Sequence, residues 1–133
     1  MTFVVDASLA LAWFLPDEAN QAADDILRRV AHEGAYVPDL FWHEMRNVLL
    51  TSCRRRRLSR DEARLSLSRL TQLPLVTRTI TDSVTVFDLA ERHQLSAYDA
   101  AYLALAIDLE LPLVTVDKKL MGAATHQGVP LLR

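Results

Sequence analysis

The stretches Phe3-Val4-Val5-Asp6-Ala7-Ser8 and Leu113-Val114-Thr115-Val116-Asp117 decide the fold. Each is a short apolar or β-branched run that stops at an aspartate, the pattern of a strand buried on both faces of a sheet. Working outward from the first, Leu9, Leu11, Trp13 and Phe14 predict a helical stretch that Pro16-Asp17 breaks. Asp17 is expected to open a second helix, in which Ala22, Ala23, Ile26, Leu27 and Val30 recur at helical spacing and which Gly34 ends. Ala35-Tyr36-Val37-Pro38 reads as a second strand. Asp39 is a good N-cap for a helix over 40–52, the run Arg54-Arg55-Arg56-Arg57 turns the chain, and Ser59 caps a helix with Ala63, Leu67 and Leu70 on its apolar face. A strand from Leu75 to Ile80, a helix from Thr81, an alanine-rich helix from Ser96 to near Glu110 and a short helix from Lys118 follow. A last strand is expected near 129–132. Short apolar strands alternating with helices imply an α/β fold, a three-layer α/β/α sandwich around a central, mostly parallel sheet.

The 133 residues suit one domain and leave no room for a second independent core. Half are hydrophobic and 24% are charged, which excludes a disordered chain. Charged or polar residues interrupt every apolar run well short of a membrane span. The opening Met1-Thr2-Phe3-Val4-Val5-Asp6 lacks a basic leader, so no signal peptide is expected. Cys53 is the single cysteine; it excludes an intramolecular disulfide and a cysteine-based metal framework, and agrees with a cytoplasmic location. The net charge of −2 does not exclude a nucleic-acid partner, because four acids seated on bound cations would leave the rest of the chain positive.

Four carboxylates stand out. Asp6 and Asp117 follow strand-like runs and are expected at the carboxyl ends of parallel strands, where open α/β sheets bind ligands; a turn or helix cap explains either one alone. Glu44 interrupts an apolar helical stripe, with Leu40 and Phe41 one turn before it and Val48 one turn after. Its carboxylate is there desolvated unless a cation, hydrogen-bond donors or a buried arginine compensates. Ser96-Ala97-Tyr98-Asp99 matches a capping box in which Asp99 bonds back to the Ser96 N–H. A common explanation for all four is a divalent-ion site, since oxygen-only ligands suit Mg²⁺ or Mn²⁺ and converging carboxylates cannot all ionise without a cation. One or two such ions would activate a water for phosphodiester cleavage.

The order of these motifs resembles the PIN domain, especially the compact VapC-type toxins of toxin–antitoxin pairs. Phe3-Val4-Val5-Asp6-Ala7-Ser8 looks like that family's opening strand with its first acid, and Trp42-His43-Glu44-Met45-Arg46-Asn47-Val48-Leu49 is similar to the helix carrying the second. The segment from Leu95 to Ala106 resembles the helix with the third, and Leu113 to Leu120 the strand with the fourth. The resemblance implies RNA cleavage with Mg²⁺ or Mn²⁺, catalytic and metal-binding roles for Asp6, Glu44, Asp99 and Asp117, inhibition by a cognate antitoxin, and commonly a homodimer. Residues 1–133 are then a single nuclease domain.

Other residues carry weaker signals. Ser8 either orients Asp6 or touches substrate or a water on the ion, or caps a helix. Arg54 and its neighbours either grip phosphates or form a solvated turn at a helix end. Lys118 beside Asp117 is a further phosphate contact. His32, His43, His93 and His126 show no metal-ligand spacing, and Trp13, Phe14, Phe41 and Trp42 read mainly as core. Two rivals stay open: a PIN-like module that binds RNA or a partner without cutting, and a Mg²⁺-dependent phosphohydrolase or phosphoacceptor domain. The second is disfavoured because Asp6 is followed by Ala7-Ser8 rather than by another acid.

Overall fold

The computed structural model describes residues 2–132. Among them, four strands form one parallel sheet: β1 (Val4–Val5), β2 (Ala35–Pro38), β3 (Leu75–Arg78) and β4 (Leu113–Val114), in the order β3-β2-β1-β4. Seven helices surround it: α1 (Ala7–Leu11), α2 (Gln21–Glu33), α3 (Leu40–Arg54), α4 (Arg60–Gln72), α5 (Ser83–His93), α6 (Ala97–Leu109) and α7 (Lys118–His126). The chain winds from β1 outward through β2 to β3, then returns to place β4 on the other side of β1. The strand order therefore reverses between β1 and β4, and a crevice opens outside the carboxyl ends of strands at such a switch point.

Central strands are apolar on every residue because helices cover both faces. Phe3, Val4, Val5, Leu113 and Val114 are all buried, whereas edge strand β3 is mostly exposed. The alanines of α6 let that helix lie close against the sheet. Ala100, Ala101, Tyr102, Leu103, Ala104, Leu105 and Ala106 are buried, and α6 packs on β1, β2 and β4 as well as on α5 and α7. On the other side α1 meets α2 and α3, and a smaller cluster of Leu15, Leu49, Leu58 and Ala63 joins α3 to α4. Phe41 is fully buried, and Trp13, Phe14 and Trp42 pack against the main core, as their sequence reading suggests. At Gly34 the backbone takes φ +79°, and a Cβ there would lie 2.9 Å from the Pro74 carbonyl oxygen. Only glycine suits that turn into β2.

Four local expectations change. Asp17 does not open α2: Pro16–Glu18 is a short 3₁₀ turn, and Asn20 is the cap, its side chain accepting from Ala23 N–H at 2.8 Å. Asp17 and Glu18 instead hold Arg57. The helix expected from Thr81 begins at Ser83, capped by Asp82. β3 stops at Arg78 rather than Ile80. The strand expected near 129–132 shrinks to a single parallel bridge between Leu113 and Leu131, since Pro130 has no N–H to continue a ladder and offers only its carbonyl, to Leu113 N–H at 2.9 Å.

Candidate active site

The β1–β4 register creates the centre of the site. Val5 stands beside Val114, so the next residues, Asp6 and Thr115, are neighbours at the strand ends. The Asp6 N–H donates to Val114 O at 3.1 Å, and Thr115 Oγ1 donates to Asp6 Oδ2 at 2.6 Å. As N-cap of α1, Asp6 also accepts from Leu9 N–H at 3.1 Å through Oδ1. Ser8 Oγ lies 2.8 Å and 3.0 Å from the two carboxylate oxygens and accepts from Val116 N–H at 3.3 Å. Ser8 thus orients Asp6, and the cap of α1 is Asp6 itself.

Asp6 is 2% exposed. Burial raises its pKa to about 6; the bonds from Thr115, Ser8 and Leu9 pull the other way, and the charge of Asp99 adds to the rise. Three donors therefore do not repay the lost hydration of this carboxylate.

Glu44 sits half-buried on α3, beside the core line of Phe41, Met45 and Leu49. An arginine is one possible partner for it, but the structure supplies Tyr102 instead, whose Oη donates to Glu44 Oε1 at 2.5 Å. Desolvation raises the Glu44 pKa, Tyr102 opposes the rise and Asp99 adds to it. The shared proton and the burial of its ring push the Tyr102 hydroxyl far above its ordinary range.

Asp99 lies in the first turn of α6. Only half of the expected capping box forms: Ser96 Oγ accepts from Asp99 N–H at 3.0 Å, while no bond joins the Asp99 carboxylate to Ser96 N–H among the described residues. Burial first, and then the charge of Asp117, raise the Asp99 pKa, against a lowering contact from Ser96. Asp117 caps α7, accepting from Leu120 N–H at 3.0 Å, and its own N–H donates to Thr115 Oγ1 at 3.0 Å. Asp99 is the hub: its field acts on Asp6 and Glu44, and Asp117 acts on it.

The structure thus draws Asp6, Glu44, Asp99 and Asp117 into one electrostatically coupled group, with Ser8 inside it. Lys118 is exposed in the first turn of α7 beside Asp117. Arg54 is not part of the group; it is exposed in the last turn of α3 and lines the groove between α3 and α4. Thr115 and Tyr102 escaped the sequence reading. Each left a trace: Thr115 is the one polar residue in a buried apolar run, and Tyr102 follows Asp99 by one helical turn.

The donor set fits a hard divalent cation. It is all oxygen, three of its members are held above their ordinary pKa, and no lysine or arginine forms an ion pair with any of the four among the described residues. No three His, Cys, Asp or Glu side chains among the described residues close into a ready ligand cage.

Comparison with known proteins agrees with this geometry. Ribonuclease VapC3 of Pyrobaculum aerophilum is 32% identical over 123 residues, covering 90% of this chain and 92% of that protein. The crystal structure of PAE2754 from Pyrobaculum aerophilum superposes with a TM-score of 0.74 at 23% identity, over 92% of this chain and 84% of that one. A toxin–antitoxin complex from Klebsiella pneumoniae shares the fold at a TM-score of 0.58 and 18% identity, with 88% of each chain covered. Residues 3–124 match the PIN domain, and the chain belongs to the PIN-domain family.

Proposed function

We propose that this chain is a metal-dependent endoribonuclease, the toxin of a type II toxin–antitoxin pair, and that Asp6, Glu44, Asp99 and Asp117 hold its Mg²⁺ or Mn²⁺. The observation that carries the reading is a set of four mutually interacting acids, from the end of β1, α3, α6 and the start of α7, none of them ion-paired with a lysine or arginine among the described residues. An ion there supplies Lewis acidity, activating a water and neutralising charge that develops on the scissile phosphate. The chain's own residues do the positioning. Thr115, Ser8 and the α1 N-terminus fix both oxygens of Asp6, and Tyr102 fixes one oxygen of Glu44 while leaving the other open. Asp99 and Asp117 project from helix starts, where capping bonds limit their motion. Lys118 and Ser8 are the nearest candidates for contact with the RNA backbone, and Arg54 serves a more distant stretch of it.

The reading includes a cognate antitoxin, a homodimer, a cytoplasmic location and one PIN-like unit over residues 1–133. Two surfaces support protein partners. Val84, Phe87 and Tyr98 expose 64–69% of their area around an apolar groove on α5 and α6. The α3–α4 groove pairs Leu49, Leu50 and Leu67 with Arg46, Arg54, Arg60 and Arg64. No helix among the described residues is long and apolar enough to cross a membrane.

The test is incubation of purified protein with a mixed RNA pool, with Mn²⁺ or with EDTA, beside Asp6→Asn. Cleavage only with metal and only in the unsubstituted protein is the expected result. Cleavage that survives EDTA overturns the mechanism. Intact RNA under all conditions, with retained RNA binding, favours a non-cleaving module.

A further inference from the structure

We propose that His93 and His126 form a second metal site, separate from the carboxylate group, for a borderline divalent ion such as Zn²⁺, Ni²⁺ or Cu²⁺. The proposal does not depend on the nuclease reading. The two histidines are 33 positions apart in sequence, yet each ends a helix, α5 and α7, and the packing of both on α6 sets them side by side. Their ring centroids are 5.4 Å apart with planes at 70°. Two imidazoles bound to one ion at about 2.0 Å and a tetrahedral angle place their centroids roughly 5 Å apart. The ring spacing therefore matches that of two imidazoles on one ion, with the His93 Nε2 lone pair turning from Gln127 to meet it.

Gln127 adds a third polar group, its side-chain nitrogen lying 2.8 Å from His93 Nε2. An amide N–H donating there requires a bare Nε2 lone pair, the form that binds metal. Rotating the amide by half a turn would present its oxygen instead, as an added donor. Partial burial and then the nearby charges of His126 and Arg92 lower the His93 pKa, which favours the neutral ring. Arg92 opposes a cation here and limits its affinity. Imidazole donors select ions of the nickel-to-zinc series over Mg²⁺, so the two sites of the chain sort ions by ligand chemistry.

The site joins two helices that lead to the candidate active site. His93 leads through Gln94, in the left-handed region at φ 56°, and Leu95 to the Ser96 cap of the Asp99 helix. His126 closes the helix that Asp117 opens.

Calorimetric titration of the full chain with Ni²⁺, in excess Mg²⁺ to occupy the carboxylates, tests this. One equivalent is expected to bind. Loss of a mere outer-shell partner costs about ten- to a hundredfold, so His126→Ala should weaken Ni²⁺ binding by at least that. His126 is exposed, so this variant tests the site without threatening the core. In parallel, substoichiometric Cu²⁺ should broaden the ring resonances of His93 and His126 before those of His32 and His43. Unchanged Ni²⁺ affinity in His126→Ala, or equal broadening of all four histidines, overturns the proposal.

Discussion

Acids on the α2–α4 side of the molecule and acids at the β1–β4 switch point are treated in opposite ways. On the first side several acids meet an arginine: Asp25 with Arg28 at 2.6 Å, Glu33 with Arg29 at 3.2 Å, and Asp17 and Glu18 with Arg57 at 2.7 and 3.1 Å. These pairs are largely solvated and contribute little to stability. At the switch point the acids are partly or wholly buried and meet only hydroxyl and backbone donors. The chain has 15 lysines and arginines available, and the fold directs none of them to ion-pair with the four among the described residues. In the function proposed above, a bound cation supplies the positive charge that the fold does not bring to these acids among the described residues.

The largest expected effect tests that proposal directly. Replacing Asp6 with Asn removes the most deeply buried ligand candidate, and several kcal/mol of transition-state stabilisation corresponds to a loss on the order of a thousandfold in RNA cleavage. A single-turnover assay with Mn²⁺ reads this, and near-normal rates in the variant would remove Asp6 from the mechanism.

The second effect is on stability and follows from sign. Folding raises the Asp6 pKa to about 6 from an ordinary 3.8, so the folded state holds this proton more tightly than the unfolded one. The resulting stabilisation is complete below about pH 4 and is lost as pH rises through about 6, a change of about 3 kcal/mol from this group. Glu44 and Asp99 are shifted in the same direction. Urea midpoints should therefore fall between pH 4.5 and 7.5, less steeply with Mg²⁺ and less steeply in Asp6→Asn. A midpoint that instead climbs over this range, in metal-free buffer, contradicts the buried-charge assignment.

Smaller effects distinguish the supports. Thr115→Val removes a buried hydroxyl and is expected to destabilise the fold by about 1–2 kcal/mol, with the Asp6 pKa moving further up because a lowering bond is gone. Tyr102→Phe should raise the Glu44 pKa in the same way, shifting the acid limb of the cleavage pH profile upward while the circular dichroism spectrum stays unchanged. At the other side of the comparison, Arg57→Ala breaks a surface pair; thermal midpoint and cleavage rate should match the unsubstituted protein.

The layered architecture was legible because the apolar runs at 3–5 and 113–116 lack alternation, and a strand without a wet face needs helices on both sides. Helix caps at Asp39, Ser59 and Ser96 were readable for the same local reason, a short polar side chain before an apolar-periodic segment. Asp17 misled because acid composition marks a helix start without saying which residue caps it; Asn20 took the role while Asp17 answered to Arg57, forty positions away. Glu44 was identifiable from the stripe it interrupts, but its partner was not, since nothing local links it to Tyr102 58 positions on. Thr115 is hidden for the same reason: its importance lies in strand register, and register is a property of the assembled sheet.

That register also sets a schedule. The hydrogen bond from Thr115 to Asp6 spans 109 positions, so Asp6 lacks that restraint until β4 has been translated and has slotted in beside β1. Non-local pairings of this kind are late events in folding. A growing polypeptide on the ribosome thus carries its acids as unorganised fragments, and whatever chemistry they perform waits until β4 has been made and paired.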